Sequence, residues 1–595
     1  MKEGLEPGLQ PLPAVPDPVL QPDVVDVMPS PIQTFEGLSN DAFVVPPATE
    51  GDVGPNHYVE WINLQLAVFD KNGTKLYGPV PGNTVFTPLP GTTHPCETEN
   101  AGDPLVHYDQ FADRWVISQF SGGSAPYYEC VAVSVTASPL GQYCLYPFLA
   151  SPNIFNDYPK MAVWPDAYYF TYAGFPDSGT PAFTPQVQAV ERDAMIACQP
   201  ASSVYFDGTT NAALGASAGQ RILSADVDGP TLPPLGEPNP HVMHDDVQNQ
   251  VEFYEFHVDW TTPVNSTFTK VTDLAVAAFD NGFTCNTPVQ TRQCVPQAIV
   301  QNRIDNLATR LMYELNYRNF GTHQSLVVNQ TVDVNDDDPN DVADHSGIRW
   351  YELRNPHGTP TVFQQGTFAP DADHRFMDSA AMDRLGNLAV GYSFSGLQEF
   401  PSMRYAGREF DDPLGQLAQG EATMWQGSGS QIAAGYIGVG ATSRWGDYSR
   451  LTVDPVDDCT FWYINEYYTS DQLEWIDALW HTRIGSFKFA NCTGPTAVKV
   501  SSFAARWRGR TIEVGWRTAS EAEILGFNVF RRAGVRPFRK LNRTLIEAKG
   551  GSAGAATYRI VDRAVRRAER YTYRLQVVSP SGKRNWYRIG SAAAR

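Results

Sequence analysis

The stretch Gly102-Asp103-Pro104-Leu105-Val106-His107-Tyr108-Asp109, followed after a turn by Arg114-Trp115-Val116-Ile117, decides the fold. It reads as a short apolar strand, an aspartate whose side chain nucleates a tight turn, and an aromatic, β-branched return strand. The pattern recurs at Asn156-Asp157-Tyr158-Pro159 with Met161–Trp164 and Tyr168–Phe170, and at Met377-Asp378-Ser379 with Asp383 and Leu388–Tyr392. It recurs again at Gly446-Asp447-Tyr448 with Leu451–Asp454 and Thr460–Tyr463. Weaker copies lie at His57–Asp70, Asp246–Trp260 and Gln324–Arg354. The units begin near 57, 103, 157, 240, 320, 378 and 447, a spacing of roughly 65 residues against the ~40–50 of compact propeller repeats, so the excess belongs to loops. An all-β chain follows, with a β-propeller of six to eight four-stranded blades, seven by the count of units.

The rest of the composition agrees. With 48 Gly and 45 Pro among 595 residues, long helices are disfavoured and many short strands joined by turns are expected. Aromatic residues make up 12% and charged residues 18%, which excludes a disordered or coiled-coil chain.

Charge divides the chain in two. Residues 495–595 carry 22 Lys and Arg against 6 Asp and Glu, whereas residues 1–494 carry 22 against 59. Such asymmetry marks a domain boundary. The acidic part repels nucleic acid, and the arginines of the basic part are scattered through alternating apolar sequence and form no compact run. Nucleic acid is therefore not an expected partner. The predicted organisation is a flexible lead-in at 1–30, a propeller at 31–492, a linker at 493–496 and a small sandwich at 497–595.

All eight cysteines precede residue 495 and none forms a Cys-x-x-Cys pair, which points to disulfides and an oxidising compartment. Cys285 with Cys294, across a short polar loop, and Cys459 with Cys492, at the end of the acidic part, are the expected pairs. The alternative is buried free thiols. No apolar run reaches the ~18 residues needed to span a bilayer, so membrane insertion is not expected. A secreted or cell-surface location is the expectation, although Met1–Pro46 contains no apolar core of a signal peptide.

After Cys492 strict alternation appears at Val498–Phe503, Thr511–Trp516, Phe527–Arg532, Thr557–Val561, Tyr571–Val578 and Asn585–Ile589. The run Ile512-Glu513-Val514-Gly515-Trp516-Arg517-Thr518-Ala519-Ser520-Glu521, with Gly526-Phe527-Asn528-Val529-Phe530-Arg531, closely resembles the fibronectin type III-like module at the C-terminal end of many secreted bacterial proteins. The resemblance implies a small β-sandwich. The preceding part, through Gly102–Asp109, Asp157–Lys160 and Arg444–Ser449, resembles uncharacterised secreted bacterial propeller proteins. That likeness implies fold and secretion and brings no activity.

In a propeller, equivalent positions of successive blades converge on one face around the axis. The leading aspartates Asp103, Asp157, Asp378 and Asp447 are thus expected to gather at the channel mouth as a ligand site, with Arg375, Arg444 and Lys160 as partners that offset their repulsion. The competing reading is that these aspartates cap turns. The acidic run from Asp333 to Asp344, with Asp333, Asp336 and Asp338 as ligands, is a candidate for loose Ca²⁺ binding, though it lacks the central glycine and final glutamate of an EF-hand. Otherwise it is a solvated loop. Arg349-Trp350-Tyr351-Glu352 and Glu466-Tyr467 suit a sialidase-like site only weakly, because adjacent residues of a strand face opposite sides.

No His-Glu-x-x-His, Gly-x-Ser-x-Gly or P-loop motif occurs, so no nucleotide or redox cofactor is expected. The first expectation is an extracellular binding or adhesion protein that presents a propeller to a glycan or surface partner. The alternative is a secreted carbohydrate-active enzyme, glycoside hydrolase or polysaccharide lyase, working at the channel mouth.

Overall fold

The computed structural model describes every residue except 1–16, 22–26, 43, 88, 90–92, 180–182, 215–220, 246–248, 284–292, 335–343, 433, 437–439, 443, 471–479, 493–499, 519–523, 535, 537, 550–555, 567–568, 579–583, 588–590 and 594–595. Two compact units emerge: Met1–Val453 with Cys459–Cys492, and Asp454–Asp458 with Thr493–Arg595. The expected linker at 493–496 lies outside the described residues.

Among the described residues of the first unit, most strands form seven four-stranded antiparallel groups, two of them merged into one eight-stranded sheet, beside two short two-stranded pairs. Six of them open on the strands Glu50–Val53, Leu105–Asp109, Ile154–Val163, Leu223–Asp228, Met312–Asn319 and His374–Met382, and each runs outward in chain order. The seventh consists of Arg450–Val453, Phe461–Tyr467 and His481–Phe487, and its outer strand is Gln33–Ser39 from the start of the chain. Each opening strand packs against that of the next group, and Arg450–Val453 returns against Glu50–Val53. That closed ring of inner strands makes the unit a propeller. The fourth and fifth groups are also joined by parallel pairing of their inner strands, with Asp226 opposite Asn316.

The turn chemistry expected from the sequence operates. Asp109 Oδ1 accepts the backbone N–H groups of Phe111 and Ala112, each at 3.1 Å. Asp383 Oδ1 accepts from Leu385 and Asn387, and Asp454 Oδ1 from Val456. Between neighbouring sheets the faces pack apolar residues. Trp61 and Val59 of the first sheet meet Trp115 and Ile117 of the second, and Trp350 and Ile348 of the fifth meet Val390 and Tyr392 of the sixth.

The sequence pattern misplaced three units by one strand. Starts near 57, 240 and 320 fall on the second strand of the first, fourth and fifth sheets, whose inner strands are Glu50–Val53, Leu223–Asp228 and Met312–Asn319. These inner strands carry no aspartate motif, so the pattern passed over them.

The lead-in at 1–30 is corrected in its described parts. Leu20 bridges to Thr367, Gln21 N–H donates to Thr367 O at 2.8 Å, and Thr367 N–H donates to Val19 O at 2.9 Å. Asp17 forms an ion pair at 2.8 Å with Arg349. The reason is physical: Thr361–Phe368 is the outer strand of the fifth sheet, with backbone groups to satisfy, and the fully buried Arg349 needs a counter-charge.

The second unit has two sheets. One holds Val500–Arg508, Thr511–Thr518 and Thr557–Asp562, and the other is built on Gly526–Ala533, Arg570–Val578 and Arg584–Tyr587. Their inner faces share one core of Val514, Trp516, Phe527, Val529, Tyr558 and Leu575, in which Trp516 stacks on Tyr558 at 5.1 Å. Arg531 reaches across the sandwich to the buried Asp562 at 2.6 Å.

Disulfides join Cys96 to Cys130, Cys144 to Cys198 and Cys459 to Cys492. The last was expected, and it brackets the strands onto which Gln33–Ser39 docks. Cys294 is also disulfide-bonded, while Cys285, its expected partner, lies outside the described residues. Because the Cys459–Cys492 bridge closes 33 residues, replacing both cysteines by alanine should destabilise the propeller by about 2–4 kcal/mol. Urea unfolding under non-reducing conditions should show a lower midpoint with unchanged slope, and an unchanged midpoint would rule out a role in closing the ring.

Candidate functional site

Five of the seven inner strands carry a residue with a left-handed backbone just before the strand or within its first half. Ala48, Asp103, Tyr158, Met377 and Asp447 all have φ between +45° and +68°. Superposing these positions shows why the aspartates do not align. Asp103 and Asp447 are themselves the left-handed residue, Asp157 precedes it and Asp378 follows it. In the third and sixth sheets the register jumps across the same bulge, between Asp157 and Lys160 and between Phe376 and Ser379, so Asp157 corresponds to Phe376.

The structure therefore brings some of the expected residues together and separates others. Tyr448 Oη donates to Asp103 Oδ2 at 3.2 Å, and Tyr158 Oη donates to the carbonyl of Asp447 at 3.3 Å. Arg444 pairs with the Asp447 carboxylate. Asp157 lies at this end too, its Oδ1 accepting Tyr158 N–H at 2.9 Å. Lys160 Nζ sits between two rings, 3.5 Å from the Tyr158 centroid and 3.2 Å from that of Tyr448. Arg310 and Arg221 face the same Tyr158 ring at 5.0 and 5.9 Å. Burial drives the Lys160 ammonium well below its ordinary pKa, although Asp103, Glu50 and Asp447 pull the other way.

Asp378 and Arg375 are not part of this group. Asp378 is fully buried beside Asn329 and Thr331. Arg375, three residues earlier across the bulge, is held by Asp371 at 2.8 Å and Glu421 at 2.9 Å. Of the acidic loop, Asp336 and Asp338 lie outside the described residues. Asp333 ends a strand and accepts the backbone N–H of His345. The sialidase-like stretch is structural: Arg349 serves Asp17, Thr367 and two carbonyls, and Glu352 accepts from Ser325, Arg354 and Gln364. Glu466 is buried and accepts Gly446 N–H at 2.8 Å.

Deeper along the axis is a charged cluster that sequence reasoning missed. Arg450 grips Glu314 with two donors, Nε to Oε2 at 3.2 Å and Nη2 to Oε1 at 3.0 Å. Its Nη2 also reaches His107 Nδ1 at 3.0 Å and its Nη1 reaches the carbonyl of Val106. Asp52 and Glu50 stand 3.6 and 3.8 Å from the same guanidinium. Donation from Arg450 makes Nδ1 the acceptor, so the His107 proton resides on Nε2, facing Tyr313 Oη. Tyr313 in turn donates to the carbonyl of Met161 at 2.9 Å. Asp226 Oδ1 lies 3.4 Å from His107 Nδ1.

Burial splits the protonation of these groups. It raises Glu50 to about 8, with Arg450 and Lys160 opposing, and lifts Glu314 well above the carboxylate range. It lowers His107, helped by Arg450. Asp226 is held low in spite of its burial by the adjoining His107, the Arg450 guanidinium and the Val163 N–H. Side chains of His107, Glu314 and Arg450 are 1–2% exposed while Asp52 and Asp226 keep 9%, so there is room for water beside these two carboxylates.

Four of these groups come from the inner strands that carry no repeat motif. The only local signal was acidic alternation, Glu50-Gly51-Asp52-Val53 and Asp226-Val227-Asp228, in stretches that no repeat unit covered. His107 and Arg450 lay inside quoted motifs but face partners hundreds of residues away.

No family model and no curated protein matches the chain. Among solved structures, the Trypanosoma rangeli sialidase is similar at 9% identity over 82% of this chain and 85% of that one, with a TM-score of 0.29. An exo-β-1,3-galactanase from Phanerochaete chrysosporium is 10% identical over 89% and 93%, at 0.27. The Penicillium chrysogenum α-L-arabinanase is 8% identical over 65% of this chain and all of that one, at 0.31. These likenesses are coarse, and the closed ring of inner strands is what makes the unit a propeller.

Burial lifts the Asp378 carboxyl to about 7, Asn329 and Thr331 opposing. Between about pH 4, where an unfolded aspartate titrates, and pH 7, the unfolded chain releases a proton that the folded chain keeps. The contribution of Asp378 to stability is thus full below about pH 4 and lost as pH rises through 7. Asp378→Asn should match the wild-type melting temperature at pH 4 and exceed it by a few degrees at pH 8. Equal differences at both pH values in a thermal scan would show that the carboxyl titrates normally.

Proposed function

We propose that the protein is a secreted carbohydrate-active enzyme, a glycoside hydrolase or polysaccharide lyase, working where the channel mouth meets its axis. One observation carries this reading: Lys160, on the inner strand of the third sheet, and Glu50, on that of the first, feel each other's charge inside the ring, and their protonation is displaced in opposite directions. A lysine pushed toward the free amine can accept a proton and a carboxyl raised to about 8 can donate one. Asp103, Asp447, Arg310 and the Tyr158 and Tyr448 rings around Lys160 supply the polar and aromatic contacts that sugars use. Disulfides support an extracellular setting. The second unit is proposed as a fibronectin type III-like spacer or attachment module, on its two-sheet core and its basic charge.

A second reading is favoured by burial. Lys160 is 2% and Glu50 0% exposed, which suits groups that hold the channel closed while outer loops meet a glycan or surface partner. A panel of acidic and neutral polysaccharides separates the two. The enzyme reading expects new reducing ends or unsaturated products, lowered about a hundredfold by Lys160→Met or Glu50→Gln with the fold retained. Turnover that survives both substitutions would remove the axis from the chemistry, and retention of a polysaccharide without any product would establish the binding reading.

A further inference from the structure

We propose that His107, Asp226 and Glu314 form a binding site for one divalent transition-metal cation, Zn²⁺ or Mn²⁺, on the propeller axis. The proposal goes beyond the glycan reading and does not rest on it.

Three inner strands, of the second, fourth and fifth sheets, place one ligand atom each, all within 4.8 Å of one another. His107 Nδ1 is 3.4 Å from Asp226 Oδ1 and 3.6 Å from Glu314 Oε1. Atoms that share an ion at about 2.1–2.3 Å, a little more than a right angle apart, have that separation. The surroundings are those of a built ligand set. His107 turns its other ring nitrogen to Tyr313, which is anchored on the Met161 carbonyl. Asp226 Oδ1 also accepts Val163 N–H at 2.6 Å. Such outer contacts fix the orientation of metal ligands.

Charge and an unfilled acceptor point the same way. Four carboxyl groups, Glu50, Asp52, Asp226 and Glu314, surround the single guanidinium of Arg450. That guanidinium now lies against His107 and Glu314. Glu50 is fully buried within 3.8 Å of Arg450, yet among the described residues neither of its oxygens accepts a hydrogen bond. Entry of the cation displaces Arg450 from His107 and Glu314 toward Glu50 and Asp52, giving Glu50 its missing partner. The imidazole selects Zn²⁺ or Mn²⁺ over Ca²⁺. No free cysteine occurs among the described residues, so no thiolate there competes for the ion.

The test uses the full chain, stripped with a chelator and dialysed against buffered Zn²⁺, Mn²⁺ or Ca²⁺, with bound metal measured by elemental analysis and affinity by calorimetry. The expected result is one equivalent of Zn²⁺ or Mn²⁺ held at least tenfold more tightly than Ca²⁺. His107→Ala and Glu314→Gln should each weaken it tenfold or more, with Asp226→Asn in place of either variant that does not fold. Glu466→Gln, at a buried carboxyl elsewhere, should leave it unchanged. Less than half an equivalent in the wild-type chain, Ca²⁺ binding as tight as Zn²⁺ and Mn²⁺, or metal retained undiminished by the ligand variants would overturn the proposal.

Discussion

The structure depends on how the inner edge of the ring satisfies its backbone. Inner strands of a propeller splay from one another like spokes, so most cannot pair through a regular ladder, yet a buried N–H without a partner costs ~1–3 kcal/mol. Side chains of the adjoining sheet do the work. Asp52 accepts Tyr108 N–H at 2.7 Å, Asp226 accepts Val163 N–H at 2.6 Å, and Ser379 Oγ accepts Leu451 N–H at 3.1 Å. Among the described residues, only the inner strands of the fourth and fifth sheets come close enough for direct parallel pairing. Short polar side chains on strands flanked by apolar sheets are therefore what seals the ring.

That solution concentrates charge where water is scarce. Isolated buried carboxylates would be strongly destabilising, and here they are offset by Arg450, by the upward shift of Glu50 and Glu314, and by backbone donors. Lys160 lies between the aromatic faces of Tyr158 and Tyr448, and the left-handed residues Asp103, Tyr158 and Asp447 are brought together around it. Gly102, at φ +101°, lets the chain enter that turn without a side-chain clash against Asn63.

Closure draws on both ends of the first unit. Gln33–Ser39 completes the sheet begun by Arg450–Val453, with Gln33 opposite Ser486 and Glu36 opposite Arg483, and Cys459–Cys492 fastens the two strands beneath it. The preceding segment lies along the edge of the fifth sheet, where Asp17 neutralises Arg349.

The sequence by itself determined the all-β class, the aspartate turns, the change of character after Cys492 and the Cys459–Cys492 bridge, because each depends on residues close in the chain or on composition. It found four inner strands whose aspartate motif marks them and missed three that carry no motif. It also placed Asp378 with Asp103 on the strength of spelling, where a bulge that shifts the register puts Asp378 beside Asn329 and Thr331 instead. The axial cluster was beyond its reach. Glu50, His107, Asp226, Glu314 and Arg450 contribute one residue per sheet, and which side chain faces the axis depends on the local register of each strand. Only closing the ring, which brings residue 450 back beside residue 50, makes them neighbours.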